Sequence, residues 1–364
     1  MKDFIIIGAG QAGLSMAYHL KQQNRDFLVV DANSEAGAPW LKRWDSLKLF
    51  TTSEFNNLPG LAFPHKKGHY ASKYEVADYL KQYVKTFDIP IAFNEKIIAL
   101  KKEENHFILN SKGNTFKAKN VVVSTGPFHT PFTPPCHLKI ADNVVQIHSE
   151  HYKNPNQLQE GETLVVGAGD SGVQILKEVS ETNRKVYFSG TTNIATLPQE
   201  ILGKTLWWWF KKIGFLTANK HSWVGKKLIN GRQPVIGTDV KALFKKQNVH
   251  CVGRTLDANE DAIVFEKETI SSIKNIIWAT GFKPNFNWIE GEQLDAKNYP
   301  KNYRGVSKTK GLYYLGLPWL HTRGSATLGG VKNDAKYLSN YILKTESTTN
   351  TTSKNIKKKQ LITV

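Results

Sequence analysis

The chain has 364 residues, 40% hydrophobic and 22% charged, the balance of a folded protein with room for two domains. Its net charge is +18, but the lysines are scattered and cluster only near the end (Lys354, Lys357, Lys358, Lys359), so no nucleic-acid partner is expected. Two distant cysteines, Cys136 and Cys251, and histidines without HExxH-type spacing argue against a disulfide framework, a CxxC dithiol centre and a metal site. No apolar run is long enough to span a bilayer, and Met1-Lys2-Asp3 does not open a signal peptide, so a cytoplasmic protein is expected.

In chain order, Phe4–Ile7 is a short β-branched run of the kind that forms a buried parallel strand. It ends in Gly8-Ala9-Gly10-Gln11-Ala12-Gly13, and Leu14, Ala17 and Leu20 then recur at helical spacing. Phe27–Val30 reads as a second strand ending in Asp31. In such a unit the first glycine allows a tight turn, the second admits a pyrophosphate, and the third lets the helix pack closely on the strand. The acid can hold a ribose diol. Residues 91 to 118 alternate polar and apolar, predicting a β-meander around Ser111–Asn114. Val121–Val123 leads to Ser124-Thr125-Gly126, and Pro127 to Pro135 predicts an extended linker.

The plan then repeats. Thr163–Val166 is a strand, Gly167-Ala168-Gly169-Asp170-Ser171-Gly172 the turn, Val173–Val179 the helix and Val186–Phe188 the second strand. Ile276–Trp278 leads to a later echo at Gly281, at nearly the spacing that separates Gly8 from Gly126. Gly324 to Leu343 has helical spacing. The expected fold is α/β, with two dinucleotide-binding Rossmann-like domains. The boundaries are 1–155 with 282–345 for an FAD domain, 156–281 for an NAD(P)H domain, and 346–364 for a disordered basic tail. No acid follows Phe188, which fits NADPH; no arginine follows it either, so NADH remains open. Trp207–Phe210 allows three readings: packing between domains, a substrate-channel wall, or a membrane-surface helix.

Four segments carry a family resemblance: Gly37–Trp40 with Arg43–Thr51, Ser124–Phe128, His148–Lys153, and Leu315–Thr322. With both glycine turns in order, the chain resembles the flavin-containing monooxygenases, especially short bacterial members and the plant auxin-forming enzymes. His148, Tyr152 and Lys153 match the second half of the family pattern F-x-G-x-x-x-H-x-x-x-Y, while Asp142 and Val144 stand at its aromatic and glycine positions. The resemblance implies that NAD(P)H reduces FAD, which binds O2 as a C4a-(hydro)peroxyflavin and passes one oxygen atom to sulfur, nitrogen or a ketone. It implies that Gly8, Gly10, Gln11, Ala12, Gly13 and Asp31 seat FAD, with Trp40, Arg43, Leu49, Thr125, Gly126, Gly316, Thr322 and Ser325 around it. Gly167, Gly169, Asp170, Ser171, Gly172 and Gly281 fall to the nicotinamide dinucleotide. Thr52 stands where the family often has a catalytic asparagine, and His148 and Tyr152 fall at the hinge between domains.

The partners expected are a small-molecule substrate and O2, and a homodimer is compatible with the sequence. Two other readings are a flavin reductase or oxidase with a quinone or protein acceptor, and a flavin redox sensor linked to cation transport through the tail.

Overall fold

The computed structural model describes residues 1–231 and 233–361, with side chains through residue 347. The strand Lys2–Ile7 is central to a nine-stranded sheet, flanked in parallel by Phe27–Val30 and Thr115–Val123, so that Ile6 lies opposite both Val29 and Val122. Leu312–Tyr314 adds a further parallel strand beside Thr115–Val123. The expected meander is present as Ala99–Glu103, His106–Asn110 and Thr115–Val123, antiparallel to one another. Phe4, Ile5, Ile6 and Ile7 are all buried, as a strand covered on both faces requires. The helices Gln11–Gln22 and Val331–Leu361 pack against each other over this core.

The second sheet repeats the arrangement with five parallel strands. Glu162–Val166 lies between Val186–Ser189 and Ile273–Trp278, and Val165 faces both Phe188 and Ile277. The helix Asp170–Val179 buries Val173, Ile175, Leu176 and Val179 against one face.

Three sequence boundaries need correction. The edge strand of the second sheet is Val145–His148, paired with Ile273–Trp278, so the second unit begins well before residue 155. The crossing lies instead in a two-stranded ribbon, Thr130–Pro131 against Phe282–Lys283, within the segment expected as a plain linker. The last helix starts at Val331, after a separate short turn at Arg323–Ala326, and Gly329 and Gly330 between them sit where a Cβ would strike the carbonyl oxygens of Phe55 and Gly324. It then runs to Leu361, through most of the segment expected as a disordered tail; no glycine or proline after Gly330 interrupts it, and residues 362–364 lie outside the described residues.

The two units are clasped by a segment that belongs to both. Trp44, four residues past Trp40, is buried in the core of the second unit with Tyr152, Val165 and Phe188. The buried Lys73 ammonium donates to the carbonyls of Leu41 and Arg43 (3.3 and 2.6 Å) and to Asp45 Oδ1 at 2.7 Å. Lys153 Nζ donates to the same Leu41 carbonyl, and Asn154 Nδ2 to Asp45 Oδ2 at 2.7 Å. Hydrogen bonds from Lys73 and Asn154 hold the Asp45 carboxyl below the usual carboxylate range.

Replacing Lys73 by methionine removes the shortest hydrogen bond to the Arg43 carbonyl and the cationic partner of Asp45, leaving Lys153 and Asn154 to hold the segment, and is expected to cost about 2 kcal/mol in urea unfolding. Because the Asp45 value is depressed in the folded state, its stabilising share is fully present above about pH 4 and is lost as pH falls through the lowered folded value. The acid limb of the stability profile should therefore flatten in K73M.

Candidate active site

The glycine turns and strand-end residues expected from the sequence lie at the carboxyl ends of parallel strands, where open α/β sheets bind ligands. Gly8 to Gly13 follow Lys2–Ile7, Asp31 follows Phe27–Val30, Thr125 and Gly126 follow Thr115–Val123, and Gly316 follows Leu312–Tyr314. In the second unit, Gly167 to Gly172 follow Glu162–Val166, and Gly281 follows Ile273–Trp278.

Each glycine in the turns has its own constraint. A Cβ on Gly13 would lie 1.9 Å from the Gly8 carbonyl oxygen, and one on Gly172 would lie 2.0 Å from that of Gly167. A Cβ on Gly10 or Gly169 meets nothing within 4 Å. The third glycine is thus fixed by packing, while the second faces open space beside a helix start. Neither Gly10 nor Gly169 has a side-chain cap, so the first N–H groups of these helices are left for a ligand. Gln11, Ala12 and Ser171 lie in these first turns. A Cβ on Gly316 would come within 2.7 Å of the Ala12 methyl, so the final strand's end presses on the first helix start.

Asp31 is buried and shapes the turn itself. Its Oδ2 accepts from the Ala9 amide at 2.6 Å, and its Oδ1 accepts from the Asn33 amide and side chain. The second unit has no acid in this place: the Gly190 amide instead donates to the Gly253 carbonyl, and Ser189 Oγ bonds Thr255 Oγ1. Parallel pairing sets Gly253 opposite Ser189, which brings Arg254 to the end of this strand. No arginine follows Phe188 along the chain, because Arg254 arrives from a distant strand. Glu266 accepts from the Arg254 amide at 2.9 Å.

Residues 37–55 cross from one unit to the other. Trp40 packs on the first core. The Arg43 guanidinium stands 5.1 Å from the ring centre of Phe128 and 5.5 Å from that of Phe282, at the crossing ribbon. Leu49 is buried in the first core. Thr51 Oγ1 bonds Asn56 Oδ1 at 2.6 Å, but Thr52 is fully buried and its hydroxyl has no protein partner. Trp207 stacks on Phe50 and donates its indole N–H to the Phe50 carbonyl at 2.7 Å. Trp207 and Phe210 therefore pack between the units, while Trp208 and Trp209 are half-buried beside them.

His148 is a satisfied hinge residue. Its Nε2–H donates to the Gly281 carbonyl (3.0 Å), its Nδ1 accepts from the Glu150 amide (3.1 Å), and burial lowers its pKa. Tyr152 is buried and donates to Glu178 at 2.8 Å. Thr125 Oγ1 lies 3.1 Å from His129, a residue the sequence did not single out. Ser325 Oγ accepts from the His321 and Thr322 amides and caps a short turn that carries Arg323. Arg323 lies close enough for its charge to act on Asp170. Solvent reaches Asp170, but the surrounding walls thin the water and push its carboxyl up, while Arg323 pulls it back down. The two thiols do not form a redox pair: Cys136 and Cys251 sit in different packing clusters, both are free, and burial pushes both up.

Adding one methyl group at Gly10 or Gly169 meets only open space, so G10A and G169A should melt like the parent. G10A should lose most of its bound flavin on gel filtration, and G169A should keep flavin but raise KM for the nicotinamide donor about tenfold or more.

Residues 5–200 match the family model described as pyridine nucleotide-disulphide oxidoreductase. The chain is 43% identical to an uncharacterized oxidoreductase (CzcO-like) of Geobacillus kaustophilus, covering 94% of this chain and 98% of the relative. It is 25% identical to a probable indole-3-pyruvate monooxygenase of Arabidopsis thaliana, covering 89% of this chain and 86% of that one. The solved flavin-containing monooxygenase of Stenotrophomonas maltophilia superposes with a TM-score of 0.78 at 22% identity, covering 94% and 98% of the two chains. Among the described residues no helix is long and apolar enough to cross a membrane. Twin glycine turns, a shared clasp and no dithiol are thus the features of an oxidoreductase that belongs to the pyridine nucleotide-disulphide oxidoreductase family and has the flavin-monooxygenase fold.

Proposed function

We propose that the protein is an FAD-dependent, NADPH-using monooxygenase acting on a soft nucleophile, sulfur or nitrogen, or on a ketone. The observation that carries this reading is the pair of open glycine turns, Gly10 and Gly169, each at an uncapped helix start, in a chain without a redox cysteine pair. When bound, FAD would relay two electrons from the nicotinamide to O2, one oxygen atom going to the substrate and the other leaving as water.

The residues supply the rest. Gly8 to Gly13 and the helix start behind them hold the flavin's pyrophosphate, and Asp31 its ribose. Gly167 to Gly172 hold the nicotinamide dinucleotide, with Arg254 beside a 2′-phosphate and Glu266 keeping that arginine in place. Thr52 offers a buried hydroxyl to the flavin or to oxygen, where a lone buried donor is costly unless a ligand takes its hydrogen bond. Trp207, Phe50 and Phe55 form an apolar wall beside Thr52 that excludes water.

Two measurements test the reading. With NADPH, labelled O2 and a thioether or tertiary amine, one labelled oxygen should appear in the product per NADPH consumed. Release of hydrogen peroxide alone with every soft nucleophile and ketone tried would sink it. Thr52→Val should keep NADPH oxidation while lowering the ratio of oxygenated product to NADPH severalfold. Arg254→Gln should raise KM for NADPH about tenfold and leave KM for NADH nearly unchanged; equal effects on both would remove the 2′-phosphate contact.

A further inference from the structure

The sequence offered no metal motif, yet the fold brings three ligating side chains together outside the dinucleotide turns. His65 Nε2 lies 3.1 Å and His69 Nε2 lies 2.8 Å from the same oxygen, Glu75 Oε1. All three ligand atoms fall within 4.8 Å of one another. The imidazole rings are 4.6 Å apart. We propose that His65, His69 and Glu75 form a binding site for a divalent transition ion of the zinc class.

The donor set selects the ion. Two imidazole nitrogens and one carboxylate oxygen suit Zn2+ or Co2+, whereas Mg2+ and Ca2+ take oxygen ligands. Around a tetrahedral ion with bonds near 2.0–2.1 Å, neighbouring ligand atoms stand about 3.3 Å apart. Reaching this takes a widening of a few tenths of an ångström in the two His–Glu separations and a closing of the two histidine nitrogens, which lie within 4.8 Å of each other, by side-chain rotation in the exposed loop. Each ring now offers Nε2 to the carboxylate; on binding, a neutral ring carries its proton on Nδ1 and gives the Nε2 lone pair to the ion. The three side chains are 36%, 39% and 28% exposed, so water can reach a fourth position.

The surroundings already hold the ligands in place, as outer contacts do in metal sites. The second oxygen of Glu75 accepts from the Ser72 amide at 2.7 Å, within the capping box of the helix Lys73–Thr86. The His69 carbonyl accepts from both the amide and the hydroxyl of Ser53, and Gly68 N–H donates to Glu54. His65 packs on Phe63. Lys66 and Lys67 lie between the two histidines in sequence and repel a cation, which points to micromolar rather than tighter affinity.

The site would act as a clip. Tyr70, next to His69, pairs with Thr52, and Lys73 at the start of the capped helix anchors the clasp at Asp45. An ion joining His65 and His69 to Glu75 therefore ties the loop 63–70 to that helix and stiffens the strand that ends at Thr52.

The test uses the flavin-loaded, tag-free full chain. Zn2+ is titrated in competition with a chromophoric chelator, and Co2+ is added separately to look for the visible bands of a four-coordinate ion. One equivalent should bind with a micromolar Kd, Zn2+ should raise the melting temperature, and H65A and H69A should each bind about tenfold or more weakly and lose the thermal shift. Flavin content and metal-free melting of both variants, unchanged from the parent, establish that they fold. No saturable binding below about millimolar Zn2+, or equal binding by the parent and both variants, overturns the proposal. Neither readout depends on oxygenase turnover.

Discussion

In two places a helix starts so close to the preceding strand that no Cβ fits between them. At Gly13 and Gly172 a side chain of any size would meet a carbonyl oxygen at about bonding distance. This close approach sets the direction of each first helix and leaves its free N–H groups at the carboxyl edge of the sheet. It also decides which glycines are structural and which are open. Gly8 and Gly167 turn the chain in a backbone region unfavourable to other residues, while Gly10 and Gly169 stay uncovered. The remaining site groups are placed relative to this edge, because parallel pairing carries Asp31, Thr125, Gly126 and Gly281 to it from other strands.

What the sequence revealed was local. The glycine turns, the strands and helices that flank them, the acid ending the second strand and the meander each have a signature in spacing or composition within a short stretch of chain, whereas His148 is held at the hinge by the Gly281 carbonyl, 133 residues away. What it hid depends on pairing across long stretches of chain. Arg254 reaches the second turn only because its strand lies beside Val186–Ser189. The charge of Arg323 acts on Asp170 only because a capped turn late in the chain is brought near the start of the helix Asp170–Val179. His65 and His69 stand four residues apart but on a loop rather than a helix, and Glu75 comes from the helix that follows; the loop folded back on the strand Lys48–Thr52 brings them together. The unit boundary failed for a similar reason. Val145–His148 pairs with Ile273–Trp278, more than a hundred residues further along, so nothing local marks it as part of the second core.

The site also draws on charge placed out of water. Lys73 is almost fully buried and is satisfied by two carbonyls and one carboxylate, an arrangement that costs solvation and yields a defined geometry. Its partners, Leu41, Arg43 and Asp45, lie on the same crossing segment that carries Trp40 and Trp44. A network of this kind leaves few alternative packings for the segment, and the position of Leu49 and Thr52 further along inherits that order.

Trp44 gives the clasp a wider meaning. A residue encoded early in the first unit completes the interior of the second, beside Tyr152 and Val165. The two halves look like copies of one plan, but neither carries all of its own interior. A chimera that joined the first half of this chain to the second half of a distant relative would inherit a mismatched tryptophan socket, even with both glycine turns intact. The duplicated architecture is therefore not interchangeable as cassettes: residues 37–55 have to match both cores at once, Trp40 and Leu49 the first and Trp44 the second.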